Sequence, residues 1–147
     1  MTFIRELAEY EKLSMEVISD EKLLSDSLFS DQKTSEAIIA EYDNIKVGFA
    51  LFFHTFSTFL GKPGLYLEDL YVRPDMRGKG CGKALFKKVA QLAVERNCGR
   101  LEWSVLNWNK PAIDFYKANG AKPMDEWTVY RLSNKKLSSF SKKNEKN

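Results

Sequence analysis

Two acidic residues, Glu68-Asp69, lie in an apolar and aromatic run, Leu65 to Val72, and a glycine loop follows almost at once. The loop reads Arg77-Gly78-Lys79-Gly80-Cys81-Gly82-Lys83. An ordinary turn does not need glycine at three alternate positions. The apolar run stops at Pro74, the pattern of a buried strand. Beyond the loop, Cys81, Leu85, Val89 and Leu92 recur at spacings of four, four and three, with Lys83, Lys87, Lys88, Gln91 and Glu95 on other faces. That spacing predicts an amphipathic helix of about four turns. Strand, glycine loop and helix bring free backbone N–H groups and the positive end of a helix dipole to one point, and such a point binds phosphate. Two familiar phosphate loops are excluded by single residues. A Walker loop needs Ser or Thr after its lysine, and Ala84 follows Lys83. A dinucleotide fingerprint needs glycine at the sixth position from Gly78, and Lys83 stands there.

What fits is Arg-x-x-Gly-x-Gly, Arg77 to Gly82, directly after a strand carrying Glu68-Asp69. This resembles the acetyl-CoA loop of the GNAT N-acetyltransferase superfamily. Further stretches are similar to its spermidine/spermine (diamine) acetyltransferase branch: Glu6 to Glu11, Tyr66 to Asp69, Trp108-Asn109-Lys110-Pro111, and Phe115-Tyr116-Lys117 with Gly120-Ala121. The resemblance covers roughly residues 3 to 137. It implies direct transfer of acetyl from acetyl-CoA to an amine, with no covalent enzyme intermediate. It places the pyrophosphate on the backbone of Arg77, Gly78, Lys79, Gly80, Cys81, Gly82 and Lys83. The main chain of Leu70, Tyr71 and Val72 would lie beside the pantetheine arm, which binds as an added strand. Asn109 would cap its helix and touch the cofactor arm, and Tyr116 would be the general acid beside it. A homodimer is implied as well.

The amine sets the harder chemical problem. An alkylammonium of pKa ~10.4 is about one-thousandth free base at pH 7, a penalty of roughly 4 kcal/mol. A carboxylate can hold the cation and take its proton, directly or through water. Glu68 is the candidate base, with Asp69 and Glu11 attracting the cation and Tyr10 and Trp103 on the acceptor side. Adjacent strand residues point to opposite faces unless a bulge intervenes, so Glu68 and Asp69 need not share a role. Where the thiolate leaves, a phenol can supply the proton. Lys110 stands where relatives often carry an acid, which weakens that turn as a polycation site. Trp108 is a candidate wall of the acceptor site. His54 is the only histidine, so no metal site is suggested. The acceptor reading stays open between a polyamine or similar small cationic amine and an amino-acid side chain such as thialysine, an antibiotic amine or a protein amine. An acyl-CoA-binding sensor without turnover is the rival of another class; Tyr116 and Glu68 argue against it.

These residues need elements to hold them. Residues 3 to 12 read as a helix with Phe3, Leu7 and Tyr10 on one side, and Asp20 to Phe29 as a second, capped by Ser19 or Asp20. Glu36 to Tyr42 and Ile45 to Thr55 are strand patterns joined by Asp43-Asn44, a two-residue hairpin turn. Residues 56 to 64 read as a loop. Leu101, Trp103 and Val105 alternate as a strand; Asn109 caps a helix that Gly120 stops. Trp127 to Leu132 reads as a last strand. This order predicts a mixed α/β sheet with helices on both faces, and the resemblance implies a GNAT-like sheet that is mostly antiparallel. Relatives carry a short strand well ahead of the first helix, and Met1 nearly abuts that helix here. Either the chain starts downstream of its natural beginning or the sheet lacks its usual first strand.

At 147 residues the chain is long enough for one well-cored domain, 1–132, followed by a tail, 133–147. Apolar content of 44% and aromatic content of 13% argue against a disordered chain. The tail holds five lysines against Glu145, a net +4, so the total of +3 leaves the body at −1. The folded part therefore lacks a nucleic-acid-binding composition. The lysine- and serine-rich tail predicts disorder. Charges in the first helix argue against a signal peptide, no apolar run reaches the ~20 residues of a membrane span, and two cysteines without a leader suggest reduced thiols in a cytoplasm.

Overall fold

Asp43 and Asn44 both adopt positive φ, 49° and 62°, the backbone that a tight hairpin turn requires. They reverse the chain between β1 (Glu36–Tyr42) and β2 (Ile45–Ser57). A second hairpin leads into β3 (Lys62–Val72), and a short β4 (Leu101–Trp103) lies on its far side. The sheet order is β1-β2-β3-β4, antiparallel across the first three strands and parallel between β3 and β4. This is the mixed sheet that the sequence predicts, mostly antiparallel as the resemblance implies, with β1 at one edge. The structure is a computed structural model and describes residues 1–142.

The helix α1 spans Thr2–Tyr10, α2 Glu21–Phe29, α3 Cys81–Glu95, α4 Lys110–Ala118 and α5 Asn134–Ser141. Within the first unit, α3 covers one face of the sheet and α1 lies on the other. Along α3, Cys81, Leu85, Val89 and Ala93 form the buried stripe, and they close a core with Val47, Ala50, Phe52, Leu65, Leu67 and Val72. Burial of these side chains, each typically worth about 1.5–3 kcal/mol when complete, fixes α3 on the sheet. On the opposite face the Phe3 ring of α1 stacks on Phe49 at 5.9 Å and tilts against Tyr71 at 6.2 Å. Asp20 caps α2 by accepting the Leu23 N–H at 2.8 Å, as the capping pattern predicts.

The ladder between β2 and β3 slips once. Leu51 pairs with Asp69 and Phe52 with Leu67, so Glu68 is the extra residue of a β-bulge. The slip shifts the alternation. Leu65 and Leu67 before it, and Leu70 and Val72 after it, all turn to the α3 core. A second irregularity falls between Ala40 and Glu41, opposite Val47.

The chain resolves into two compact units, Met1–Trp108 and a second that begins at Asn109. Within the second, Asn109 caps α4 by accepting the Ala112 N–H, Pro111 occupies the first turn, and Gly120 takes φ 88° just past the end.

Several elements differ from expectation. Residues 56–64 are mostly strand: Ser57 pairs with Lys62, leaving a four-residue loop whose Leu60 N–H donates to the Ser57 hydroxyl at 3.3 Å. Pro63 is tolerated because it sits near the start of its strand. Residues 127–132 form no strand. Trp127 is 78% exposed and Tyr130 92%, and the Trp127 N–H bonds to the Met124 carbonyl; alternation supplies a pattern but not a partner strand. Residues 134–141, read from composition as disordered, form α5. The helix buries none of its residues, and its Leu137 and Phe140 are exposed. The rest of the tail, residues 143–147, lies outside the described residues.

Gly48 allows β2 and β3 to approach closely, since an added Cβ would press into the Tyr71 carbonyl oxygen and lie 3.1 Å from Val72. Gly48→Ala is expected to cost about 2–3 kcal/mol, an overpacking penalty, read as a lowered urea midpoint at unchanged slope. A midpoint within error of the parent's would show that the strands can separate without cost.

Candidate active site

Gly78 and Gly80 hold φ of +77° and +84°, a conformation that favours glycine. A Cβ at either would meet nothing within 4 Å, so the loop faces open space. Gly80 is the N-cap of α3, and no side chain caps the helix there. The first backbone bond closes from the Ala84 N–H to the Gly80 carbonyl at 2.9 Å. The amides of Cys81, Gly82 and Lys83 therefore precede the helical ladder. With no acidic residue in the first turn, this donor set suits a phosphate anion. The residues fit a pyrophosphate-bearing cofactor through their backbone. Their side chains turn elsewhere: Cys81 is buried in the core, and Lys79 Nζ lies 5.2 Å from the Tyr42 ring centroid and 3.5 Å from Met76 Sδ.

The strand beside the loop is open on one edge. β4 pairs with β3 only from Leu65 to Leu67, opposite Leu101 to Trp103. From the bulge at Glu68 through Leu70, Tyr71 and Val72, no strand among the described residues lies on that side. β2 satisfies the other side as far as Val72. An extended chain with amide groups can pair with such an edge.

The bulge also decides where the acids go. With Leu67 and Leu70 both turned to α3, Glu68 and Asp69 share the opposite face, which adjacent residues of a regular strand cannot do. Asp69 is half-buried, and its carboxyl is pushed up from 3.8 to about 6, first by burial and then by the charges of Glu68 and Glu11. Burial also raises Glu11, the residue that ends α1. Three carboxylates from two elements thus share one field.

The other predicted residues are distributed as follows. The Tyr10 ring lies 6.0 Å from that of Trp108 and 4.6 Å from the Arg77 guanidinium, so Tyr10 and Trp108 stand together at the end of α1. Trp103 is separated from the carboxylates. Its ring meets Phe86 of α3 edge-on at 5.1 Å and packs against the core on that face. Tyr116 is half-buried on α4, its ring edge-on to Phe115 at 5.4 Å. His54 Nε2 lies 3.5 Å from Arg96, which forms a bidentate pair with Glu36. Sequence reasoning missed the Glu6–Arg73 pair. Arg73 donates from Nε and Nη2 to the Glu6 carboxylate at 3.0–3.3 Å. No spacing signals a partner so distant in the chain. Among the described residues, no three His, Cys, Asp or Glu side chains are placed to hold a metal ion, and no helix is long and apolar enough to cross a membrane.

An uncapped glycine loop at a helix start, beside an open strand edge, suits a phosphate-bearing cofactor with an amide-containing arm. The chain belongs to the acetyltransferase (GNAT) family, whose profile matches residues 4–121. It is 41% identical over 144 residues to thialysine N-epsilon-acetyltransferase of Bos taurus, spanning 90% of this chain and 84% of that one. Over 149 residues it is 31% identical to spermidine/spermine N(1)-acetyltransferase-like protein 1 of Homo sapiens, covering 93% of this chain and 21% of the other. Among solved structures, an integron cassette protein from the mobile metagenome of V. cholerae superposes with a TM-score of 0.79 at 32% identity, over 97% of this chain and 88% of that one. The protein is an N-acetyltransferase, and acetyltransferases of this family use acetyl-CoA.

Asp69 gives this site a signature in stability. Its folded value of about 6 lies above the ~3.9 of an unfolded aspartate, so as pH falls from about 7 toward 4 the folded state gains protons first and stability rises. Glu6 and Glu36 act oppositely. Hydrogen bonds from Arg73 and Arg96 hold them below the ordinary 4.5, so their contribution is present above that value and is lost as pH falls through the folded ones. The urea midpoint is therefore expected to be higher at pH 5 than at pH 7, and Asp69→Asn should remove much of that gain. A gain of equal size in the variant would place its source in other groups.

Proposed function

We propose that this enzyme transfers acetyl from acetyl-CoA to the primary amine of a small cationic molecule, a polyamine or a similar alkylamine. The observation that carries this reading is that the bulge turns Glu68 and Asp69 to one face, where the charge of Glu11 from the end of α1 also acts on Asp69, a field that selects a cation. Residues 1–132 are taken as one catalytic domain. Acetyl-CoA supplies the activated acetyl group. The backbone amides from Gly78 to Lys83 hold its pyrophosphate, with Arg77 opening the loop, and the open edge at Leu70, Tyr71 and Val72 pairs with its amide-bearing arm. Glu68, the exposed member of the acid cluster, takes the ammonium proton directly or through water, while Asp69 and Glu11 hold the cation. On the family pattern, Asn109 helps place the cofactor arm and Tyr116 returns a proton to the departing thiolate. Tyr10 and Trp108 form the aromatic side of the acceptor site. Trp103 packs edge-on against Phe86 of α3, so the proposal rests on Tyr10 and Trp108 rather than on Trp103. A homodimer is the proposed assembly, on the family resemblance, and the free thiols Cys81 and Cys98 favour a reducing, cytoplasmic location.

A second reading has its own support. Lys12 Nζ lies 5.6 Å from the Trp108 ring centroid, one residue beyond Glu11, and a cation there suits the carboxylate of an amino-acid acceptor such as thialysine. A polyamine carries no such group. Thioester consumption with spermidine, putrescine, L-ornithine and thialysine separates the two readings by which acceptors turn over.

Two substitutions test the assigned roles. Tyr116→Phe is expected to lower kcat about 100-fold while leaving the Kd for CoA nearly unchanged; full turnover removes the general-acid role. Glu68→Gln is expected to move the rising limb of the kcat/KM profile to higher pH, because only acceptor already deprotonated in solution then reacts. A profile identical to the parent's would assign the proton to water or to another carboxylate.

A further inference from the structure

The Arg77 side chain is not directed as a phosphate ligand would be. Its Nε donates to the carbonyl of Val72, the last residue of β3, at 2.9 Å. Its guanidinium carbon lies 4.6 Å from the Tyr10 ring centroid and 5.8 Å from that of Tyr71. Its own amide donates to the Pro74 carbonyl at 3.3 Å, which ties the residue to the turn that starts the loop. Arg77 therefore touches three parts at once: the end of the central strand, the entry to the glycine loop, and the end of α1.

The attachment of α1 gives this contact its leverage. Ala8 is the one buried residue of the helix, so little core holds it down. A cleft of about 470 Å³ opens beside it, with Glu9, Tyr10, Tyr71 and Asp75 in its lining. Phe3 holds one end of α1 by stacking on Phe49, Glu6 holds the middle through Arg73, and Tyr10 holds the far end through Arg77. Glu11, a member of the carboxylate cluster, follows Tyr10 directly.

We propose that Arg77 is a positioning residue, its guanidinium linking occupancy of the glycine loop to the placement of Tyr10 and Glu11 on the acceptor side. This rests on the cofactor reading above. When a pyrophosphate orders the loop, Arg77 is ordered with it, and the planar face laid on Tyr10 steadies the end of α1. Lysine cannot replace Arg77 here, because a single ammonium does not combine an Nε donor with a flat stacking face.

Hydrogen exchange with CoA as the probe tests the link. In the parent enzyme, saturating CoA is expected to slow exchange in the loop amides, residues 78–84, and also by about threefold to fivefold in residues 5–11, the range of one exposed cation–π contact. Tyr10→Phe keeps an aromatic face and should retain the second effect. Tyr10→Leu and Arg77→Lys should lose it while the loop amides stay protected. If residues 5–11 respond to CoA equally in Tyr10→Leu, or not at all in the parent while the loop is protected, the link is wrong and the cofactor site stands. If CoA leaves the loop amides unprotected in the parent, the cofactor reading fails and takes this one with it. Should Arg77→Lys not fold, the two Tyr10 variants decide the matter.

Discussion

One register slip, at Glu68, sets the geometry that the chemistry needs. A regular strand would send Glu68 and Asp69 to opposite faces and would let β4 continue alongside β3. The extra residue prevents the first by turning two adjacent carboxylates to one side, and the β4 ladder ends at the residue before it. Leu70 and Val72 nevertheless return to the α3 core, so the hydrophobic pattern resumes at once and the interruption stays local. The core on either side confines the slip to one residue, since a longer one would expose the Leu65–Leu67 or Leu70–Val72 pairs to water.

The two faces of the sheet then serve different ends. On the α3 face burial is nearly complete and the packing is aliphatic, which fixes the helix whose first amides form the anion site. The α1 face is held by rings and charges: Phe3 on Phe49, Glu6 with Arg73, Tyr10 on Arg77. Contacts of that kind are individually weak, of order 1 kcal/mol at exposed positions. The helix that carries Glu11 is accordingly the one whose attachment can answer to what lies beneath it.

Much of this was legible in the sequence because short-range rules control it. The glycine loop, the α3 stripe, the Asp43-Asn44 turn and the Asn109 cap depend on residues at most a few positions apart. Asp20 as the cap of α2 belongs to the same class. The bulge could be posed as a question, since Glu68 and Asp69 were both needed, but only the pairing of β2 with β3 answers it. The Glu6–Arg73 and Tyr10–Arg77 contacts join segments separated by more than sixty positions, and no periodicity reports on such distances. Residues 127–132 illustrate the converse. Their alternation is as regular as that of β1, yet a strand is a relation between segments, and these residues have no ladder partner among the described residues.

The acid cluster must satisfy two demands that conflict. Carboxylates that hold an ammonium stabilise its charged form, and so they oppose the proton loss that the reaction requires. An ordinary carboxyl is a poor acceptor of a proton from an amine of pKa ~10.4, the transfer lying about 9 kcal/mol uphill. Asp69, poised near 6, lowers this to about 6 kcal/mol before the ligand cation is counted, which makes it the place where a proton first taken by Glu68 can rest. The mutual repulsion of Glu11, Glu68 and Asp69 supplies part of that difference, and an arriving cation relieves it. The same repulsion therefore favours binding the ammonium and, once the cation has given up its charge, favours keeping its proton within the cluster. Dividing the work among three residues reconciles the demands: the group that receives the proton and the groups that hold the cation need not be the same. A single strong carboxylate, however well placed, could bind the amine or deprotonate it, but would do each at the expense of the other.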